Sequence, residues 1–176
     1  MQKENITLRF EESVLPHLDA AYNLARWLTR DPTDADDVVQ EAYLRAFKFF
    51  GGFHGGDSRA WILKIVRNTC YSWLQKNRPP VVLTEFDEEL HEAESENPET
   101  ILIENIDRQQ LKHLMEELPA EFREVIILRD IEGLSYKEIA GVTDLALGTV
   151  MSRLARARRK LQKELSVGVG VKEGAK

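Results

Sequence analysis

Cysteine is almost absent from this chain: Cys70 is the only one in 176 residues. A lone thiol permits no internal disulfide. His17, His54, His91 and His113 stand too far apart in sequence to form a recognisable zinc pattern with it. Long apolar runs are missing too, and the start, MQKENITLRFEES, is polar. The sequence therefore predicts no signal peptide, no membrane insertion and a cytoplasmic protein. Carboxylate pairs, a nucleophile with its base and metal-ligand clusters are likewise lacking, so an enzyme is the least favoured class and no cofactor or metal is expected. A basic excess, the usual footprint of a nucleic-acid binder, is also missing: 30 acids against 24 bases give a net charge of −6.

Where the charge sits matters more than its total. Residues 84–107, TEFDEELHEAESENPETILIENID, hold ten carboxylates and no Lys or Arg, for a local charge of −10. Residues 51–83 carry +4 and residues 148–165 carry +5. The acidic run repels itself, contains Pro98 and has few large apolar residues, so its middle reads as a linker between two lobes. Each lobe ends in one of the positive segments. The boundaries expected are a first domain over 1–80, an acidic linker over 81–107, a second domain over 108–166 and a glycine-containing flexible tail over 167–176.

In the first lobe, Val14, Leu18, Ala21, Tyr22, Ala25 and Leu28 recur at helical spacing and predict one helix from Phe10 to Thr29, ended by Asp31-Pro32. Thr33 is the expected cap of a second helix, with Val38, Ala42, Ala46 or Phe47 and Phe50 inward. Acids in its first turn suit the helix dipole. Asp36, Asp37, Gln40 and Glu41 could instead form an exposed acidic ridge for a basic partner. Gly51 to Ser58, GGFHGGDS, is a loop; it lacks a phosphate-binding pattern. A third helix, Trp61 to Lys76, places Ile62, Val66, Cys70 and Trp73 inward. Lys64, Arg67, Asn68, Tyr71 and Gln75 share the opposite face, which has cations, an amide and a ring but no acid. That chemistry suits a nucleic-acid backbone and an exposed base.

In the second lobe, Leu111, Leu114, Met115 and Leu118 form a stripe that stops at Pro119, and a helix from Phe122 is closed by Gly133. Ser135 to Glu138 has the form of a capping box. Ala140, Asp144 four residues on and Val150 ten on meet the packing needs of a helix-turn-helix: close approach, a left-handed turn, an anchor. The helix that follows buries Val150, Leu154, Ala157, Leu161 and Leu165. It carries Thr149, Met151, Ser152, Arg153, Arg156, Arg158, Arg159 and Lys160 on its other faces. Arg153 and Arg156 near its start suit guanine in a major groove, and the later cations suit phosphates.

Taken in order, DPTDADDVVQEAYLRAF, RAWILKIVRNTCYSWLQKNR and LPAEFREVIILRDIEGLSYKEIA with GTVMSRLARARRKL resemble bacterial RNA polymerase sigma factors of the extracytoplasmic-function group, across nearly all of the chain except the acidic connector and tail. The resemblance implies an all-α fold of two small helical domains, a region 2-like bundle and a region 4-like helix-turn-helix domain. It implies core RNA polymerase, through the largest-subunit coiled coil and the flap, and promoter DNA as partners, and leaves room for an anti-sigma factor. Asp36, Asp37, Gln40 and Glu41 match the polymerase-docking positions. Phe53 and Asn68 match positions that capture an unpaired minus-ten base, with Lys64, Arg67, Tyr71, Lys76 and Arg78 beside them to hold the strand. Thr149, Met151, Ser152, Arg153, Arg156 and Arg158 match the minus-thirty-five reading stretch. Three positions depart from the family pattern: Asp144 stands where glycine is favoured, Ala146 where proline is common and Met151 where Lys or Arg is frequent. The rival reading is a stand-alone helix-turn-helix regulator, which usually needs a dimerisation element that the sequence does not display.

Overall fold

The computed structural model describes residues 1–77 and 107–173, with the helical backbone alone for the last six, and the described chain is helical throughout with no strand. Residues 78–106, which include Arg78 and nearly all of the connector, lie outside the described residues.

The first lobe opens with α1 (Gln2–Ser13), a 3-10 turn (Leu15–His17) and α2 (Leu18–Thr29). The single helix expected from Phe10 is thus broken. Pro16 has no N–H to donate and its ring clashes with the carbonyl four residues back, so the chain turns there before α2 starts. Helix α3 (Pro32–Phe49) is capped by Asp31 rather than Thr33: its carboxylate accepts from the N–H groups of Thr33 (2.8 Å) and Asp34 (3.0 Å). Pro32 at the first helical position loses nothing there, because that N–H has no intrahelical partner. A 3-10 turn (Phe50–Gly52) and the glycine loop lead into α4 (Ser58–Asn77).

Alanines let these helices approach closely. Ala21 and Ala25 of α2, Ala35, Ala42 and Ala46 of α3, and Ile62, Leu63, Val66 and Cys70 of α4 are buried in one core with Leu24, Leu28 and Val38. An aromatic group anchors the loop: Phe53 stacks on Phe50 at 5.7 Å and tilts against Trp61 at 4.9 Å.

The second lobe comprises α5 (Arg108–Glu117), α6 (Ala120–Ile126), a π-helical turn (Ile127–Ile131), α7 (Tyr136–Thr143) and α8 (Leu147–Glu173). Asp107 caps α5 through the N–H of Gln109 at 3.1 Å. Buried Arg123 donates to the carbonyls of Glu116 and Leu118, both at 3.0 Å, and so satisfies the end of α5 that Pro119 terminates. The capping box at Ser135 and Glu138 forms as the sequence predicts. Gly133 takes a positive φ of 70° just past the π turn. Helix α8 buries Val150, Leu154, Ala157, Leu161 and Leu165, and its backbone stays helical to Glu173, beyond the point where the tail was expected to begin.

The lobes do not stand apart. α4 packs on α7, α2 packs on α6 and the π turn, and apolar side chains of both lobes belong to one buried cluster. Replacing Ser135 with Ala removes the oxygen that accepts from Glu138 N–H and should cost about 1 kcal/mol, whereas Ser135→Gly should cost only a few tenths. Urea unfolding of both variants checks the difference, and an equal loss contradicts the cap.

Candidate functional site

Three groups of side chains carry the chemistry. On α3, the side chains of Asp36, Asp37, Gln40 and Glu41 are all exposed, which gives the ridge its free face. Glu41 is tied to Arg45 at 2.6 Å. Asp36 and Gln40 border a groove of about 460 Å³ between α2 and α3, whose other walls are Leu18, Asp19, Tyr22, Asn23 and Val39. An acidic rim over an apolar floor fits a basic helix with apolar anchors.

The second group is on α4. Ile62, Val66 and Cys70 are buried as the periodicity predicts, with Leu63 and Thr69 beside them, while Trp73, expected inward as well, is half-buried. Burial pushes the Cys70 thiol up to about 12, which keeps it protonated and inert. The spacing puts Lys64, Arg67, Asn68, Tyr71 and Gln75 on one opposite face; the structure divides it. A helix turns about 100° per residue, so Lys64, Arg67 and Tyr71 fall on one edge of that face and Asn68 and Gln75 on the other. The second lobe covers the first edge and leaves Asn68, Gln75 and Lys76 exposed.

Under that cover, each cation meets an acid. Arg67 donates from Nε and Nη2 to the two carboxylate oxygens of Glu124 on α6, at 2.9 and 3.1 Å. Its guanidinium lies 4.5 Å from the centre of the Tyr71 ring. The Lys64 ammonium is 2.9 Å from Asp144, and Arg59 reaches the Glu132 carbonyl at 3.2 Å and the Glu138 carboxylate at 3.3 Å. Glu124 is fully buried. Burial pushes its carboxyl upward; Arg67 pulls against that, as does the charge of Arg153 on α8. Tyr71 is held protonated, first by burial and then by the neighbouring Glu124 charge. Phe53 is half-buried in the aromatic group beside α4 rather than extended into solvent.

The third group is on α7 and α8. Asp144 takes the left-handed conformation, φ 56°, that the turn requires, and Val150 is buried as the anchor. Met151 is half-exposed, while Thr149, Ser152, Arg153 and Arg156 are partly buried, the Ser152 hydroxyl donating to the Thr149 carbonyl at 3.1 Å. Arg158 does not project as the other reading residues do: Asp130 holds it at 2.5 Å and 3.3 Å, within its own lobe.

Sequence reasoning missed Glu124, Glu138 and Asp144 as partners of α4. Asp144 was visible as a departure at a turn, with no hint of what its charge meets. Glu124 had a faint signal, since it sits in a run whose neighbours Phe122, Val125 and Ile126 are all apolar. Among the described residues there is no His, Cys, Asp and Glu grouping able to hold a metal, and no helix long and apolar enough to cross a membrane.

Two family models match this chain. The family model "Sigma-70 region 2" matches residues 14–79 and "Sigma-70, region 4" matches residues 108–161. The chain is 34% identical over 158 residues to the ECF RNA polymerase sigma factor SigE of Mycolicibacterium smegmatis, covering 89% of this chain and 62% of that relative, so it spans less than two thirds of that protein. It is 35% identical over 141 residues to the ECF RNA polymerase sigma-E factor of Escherichia coli K12, covering 75% of this chain and 74% of that one. Among solved structures, the sigma factor RpoE in complex with the anti-sigma factor NepR from Bartonella quintana superposes with a TM-score of 0.70 at 32% identity, covering 90% of this chain and 98% of that chain. CnrH in complex with the cytosolic domain of CnrY gives 0.65 at 27% identity, covering 90% and 88%. With both regions in order and relatives of this similarity, the chain belongs to the sigma-70 family of RNA polymerase sigma factors, in its extracytoplasmic-function group.

Proposed function

We propose that this chain binds core RNA polymerase in the cytoplasm and directs promoter-specific initiation, its second lobe reading minus-thirty-five duplex and its first lobe holding the melted minus-ten strand. The observation that carries this is the coexistence, in one chain of this family, of an open acidic ridge on α3 and two cation-bearing helices, α4 and α8, the second of them in a helix-turn-helix. Core polymerase docks on Asp36, Asp37, Gln40 and Glu41. Phe53, Asn68 and Lys76 take the unpaired strand, joined by Arg78 and, once uncovered, by Lys64, Arg67 and Tyr71. Thr149, Met151, Ser152, Arg153 and Arg156 read the duplex, and Arg158 supports α8 from its pair with Asp130. The chain supplies recognition and melting; the polymerase makes the RNA. Its domains run over 1–80 and 108–166. One of the two solved neighbours is a complex with a chain named an anti-sigma factor, and an anti-sigma protein is a further proposed partner here.

Run-off transcription with purified core polymerase and a randomised promoter pool tests the reading. Selection of start sites that share two spaced elements supports it, and no selection refutes it. Asn68 is exposed on α4, so Asn68→Ala should erase minus-ten preference while polymerase binding stays intact; unchanged output across minus-ten variants contradicts its role. Arg153→Ala should relax minus-thirty-five discrimination by about 1–3 kcal/mol, the worth of a bidentate base contact. An equal loss on every promoter would make Arg153 a phosphate contact instead.

A further inference from the structure

We propose that Met151, with Leu147 one turn before it, reads the C5 methyl group of a thymine in the minus-thirty-five duplex, beside the base that Arg153 takes. This rests on the reading of α8 as the minus-thirty-five helix.

Large apolar side chains at the start of α8 divide into two sets. Val150 and Leu154 are buried under the helix-turn-helix, whereas Leu147 and Met151 are 49% and 50% exposed. Four residues apart, those two are neighbours on one edge of the helix. At about 100° per residue, Met151 and Arg153 fall on opposite edges of the outward side, with Ser152 between them. The reading end of α8 thus has a cationic edge, Arg153 and Arg156, and an apolar edge, Leu147 and Met151.

Bases offer a partner to each edge. In the major groove a guanidinium matches the two acceptors of guanine, and the apolar group on display is the thymine methyl. A thioether has no hydrogen to donate, so Met151 cannot take the guanine or phosphate that a lysine or arginine in its place would seek. Its unbranched, polarisable chain suits contact with a methyl group.

Gly148 is an independent observation at the same spot. It lies in the first turn of α8 with a helical backbone, and a Cβ added there would meet nothing within 4 Å. Neither a left-handed conformation nor packing inside the fold calls for glycine, the residue that loses most conformational freedom when it is fixed in a helix. Close approach of the helix backbone to another molecule does call for it. Gly148 points between Met151 and Ser152, so DNA that touches the helix there comes within reach of Met151.

The test uses holoenzyme assembled from the full chain and core polymerase, on the promoter recovered from the pool. Each thymine of the minus-thirty-five element is replaced in turn by deoxyuridine, which removes the methyl and keeps the base pair. At the thymine that Met151 meets, promoter binding should weaken about fourfold, the worth of one buried methyl group. Met151→Lys should bind the thymine and deoxyuridine promoters equally, and Met151→Leu should keep the difference. Gly148→Ala should leave thermal stability undiminished and weaken binding to both promoters. A selected element without an A·T pair overturns the proposal, as does an element in which no deoxyuridine weakens binding or in which Met151→Lys still loses the same factor. If Met151→Lys loses polymerase binding instead, the apolar edge meets protein and the proposal is again overturned. Selection of start sites from the pool requires no thymine at any one position, so it shows separately whether the sigma reading stands.

Discussion

A carboxylate with no access to water must be met by a cation with good geometry, or the fold that buries it is penalised by several kcal/mol. Glu124 is such a group, and Arg67 meets it with two parallel hydrogen bonds from one edge of its guanidinium. The rest of the arrangement hangs on that pair. It ties α6 to α4, while α4 packs directly on α7, where Asp144 meets Lys64 and Glu138 meets Arg59. It also places Glu124 within the field of Arg153, so one buried acid answers arginines from both proposed reading helices. A pair of this kind adds little net stability compared with well-packed apolar residues; its effect is on which surfaces may meet. It makes the lobe contact specific, alongside the pairs at Lys64 and Arg59 and the apolar side chains that the lobes share.

The acidic balance of the chain looks different in this light. A net charge of −6 argues against nucleic acid only if the acids and bases are mixed. Here the connector holds −10, and the acids of the second lobe that matter are spent against α4. The surface left open is the acidic ridge of α3 with the groove beside it, together with Asn68 and Lys76 on the uncovered edge of α4. The proposed docking face is therefore open in this arrangement while much of the proposed DNA face is covered.

Local structure was legible in the sequence wherever one residue type has one strong local preference. The Ser135 capping box, the left-handed turn at Asp144, the stop at Pro119 and the buried stripe from Val150 to Leu165 were all readable, because caps, turns and periodicity act within a few residues. The break at Pro16 was missed because apolar spacing runs through it unbroken, although the imino ring forbids the helix. Asp31 and Thr33 are both good caps, and Pro32 can end one helix or begin the next, so the sequence alone does not choose between them. The site was harder. Spacing places Lys64, Arg67, Asn68 and Tyr71 on one face, but no local rule says that another lobe covers half of it. The pairing of Arg158 with Asp130, 28 residues away, is equally non-local. Long-range pairing decides which cations are available, and it is written in no single segment.

The central claim is that the covered edge of α4 serves either the second lobe or the promoter strand. Spin labels at exposed Gln75 on α4 and Lys137 on α7 report it directly through their separation, and Cys70, buried with its thiol protonated, does not compete for the label. The account predicts one short separation in the free chain, replaced by a longer one when core polymerase and a promoter are added. A short separation that persists in a complex already melting the promoter contradicts it.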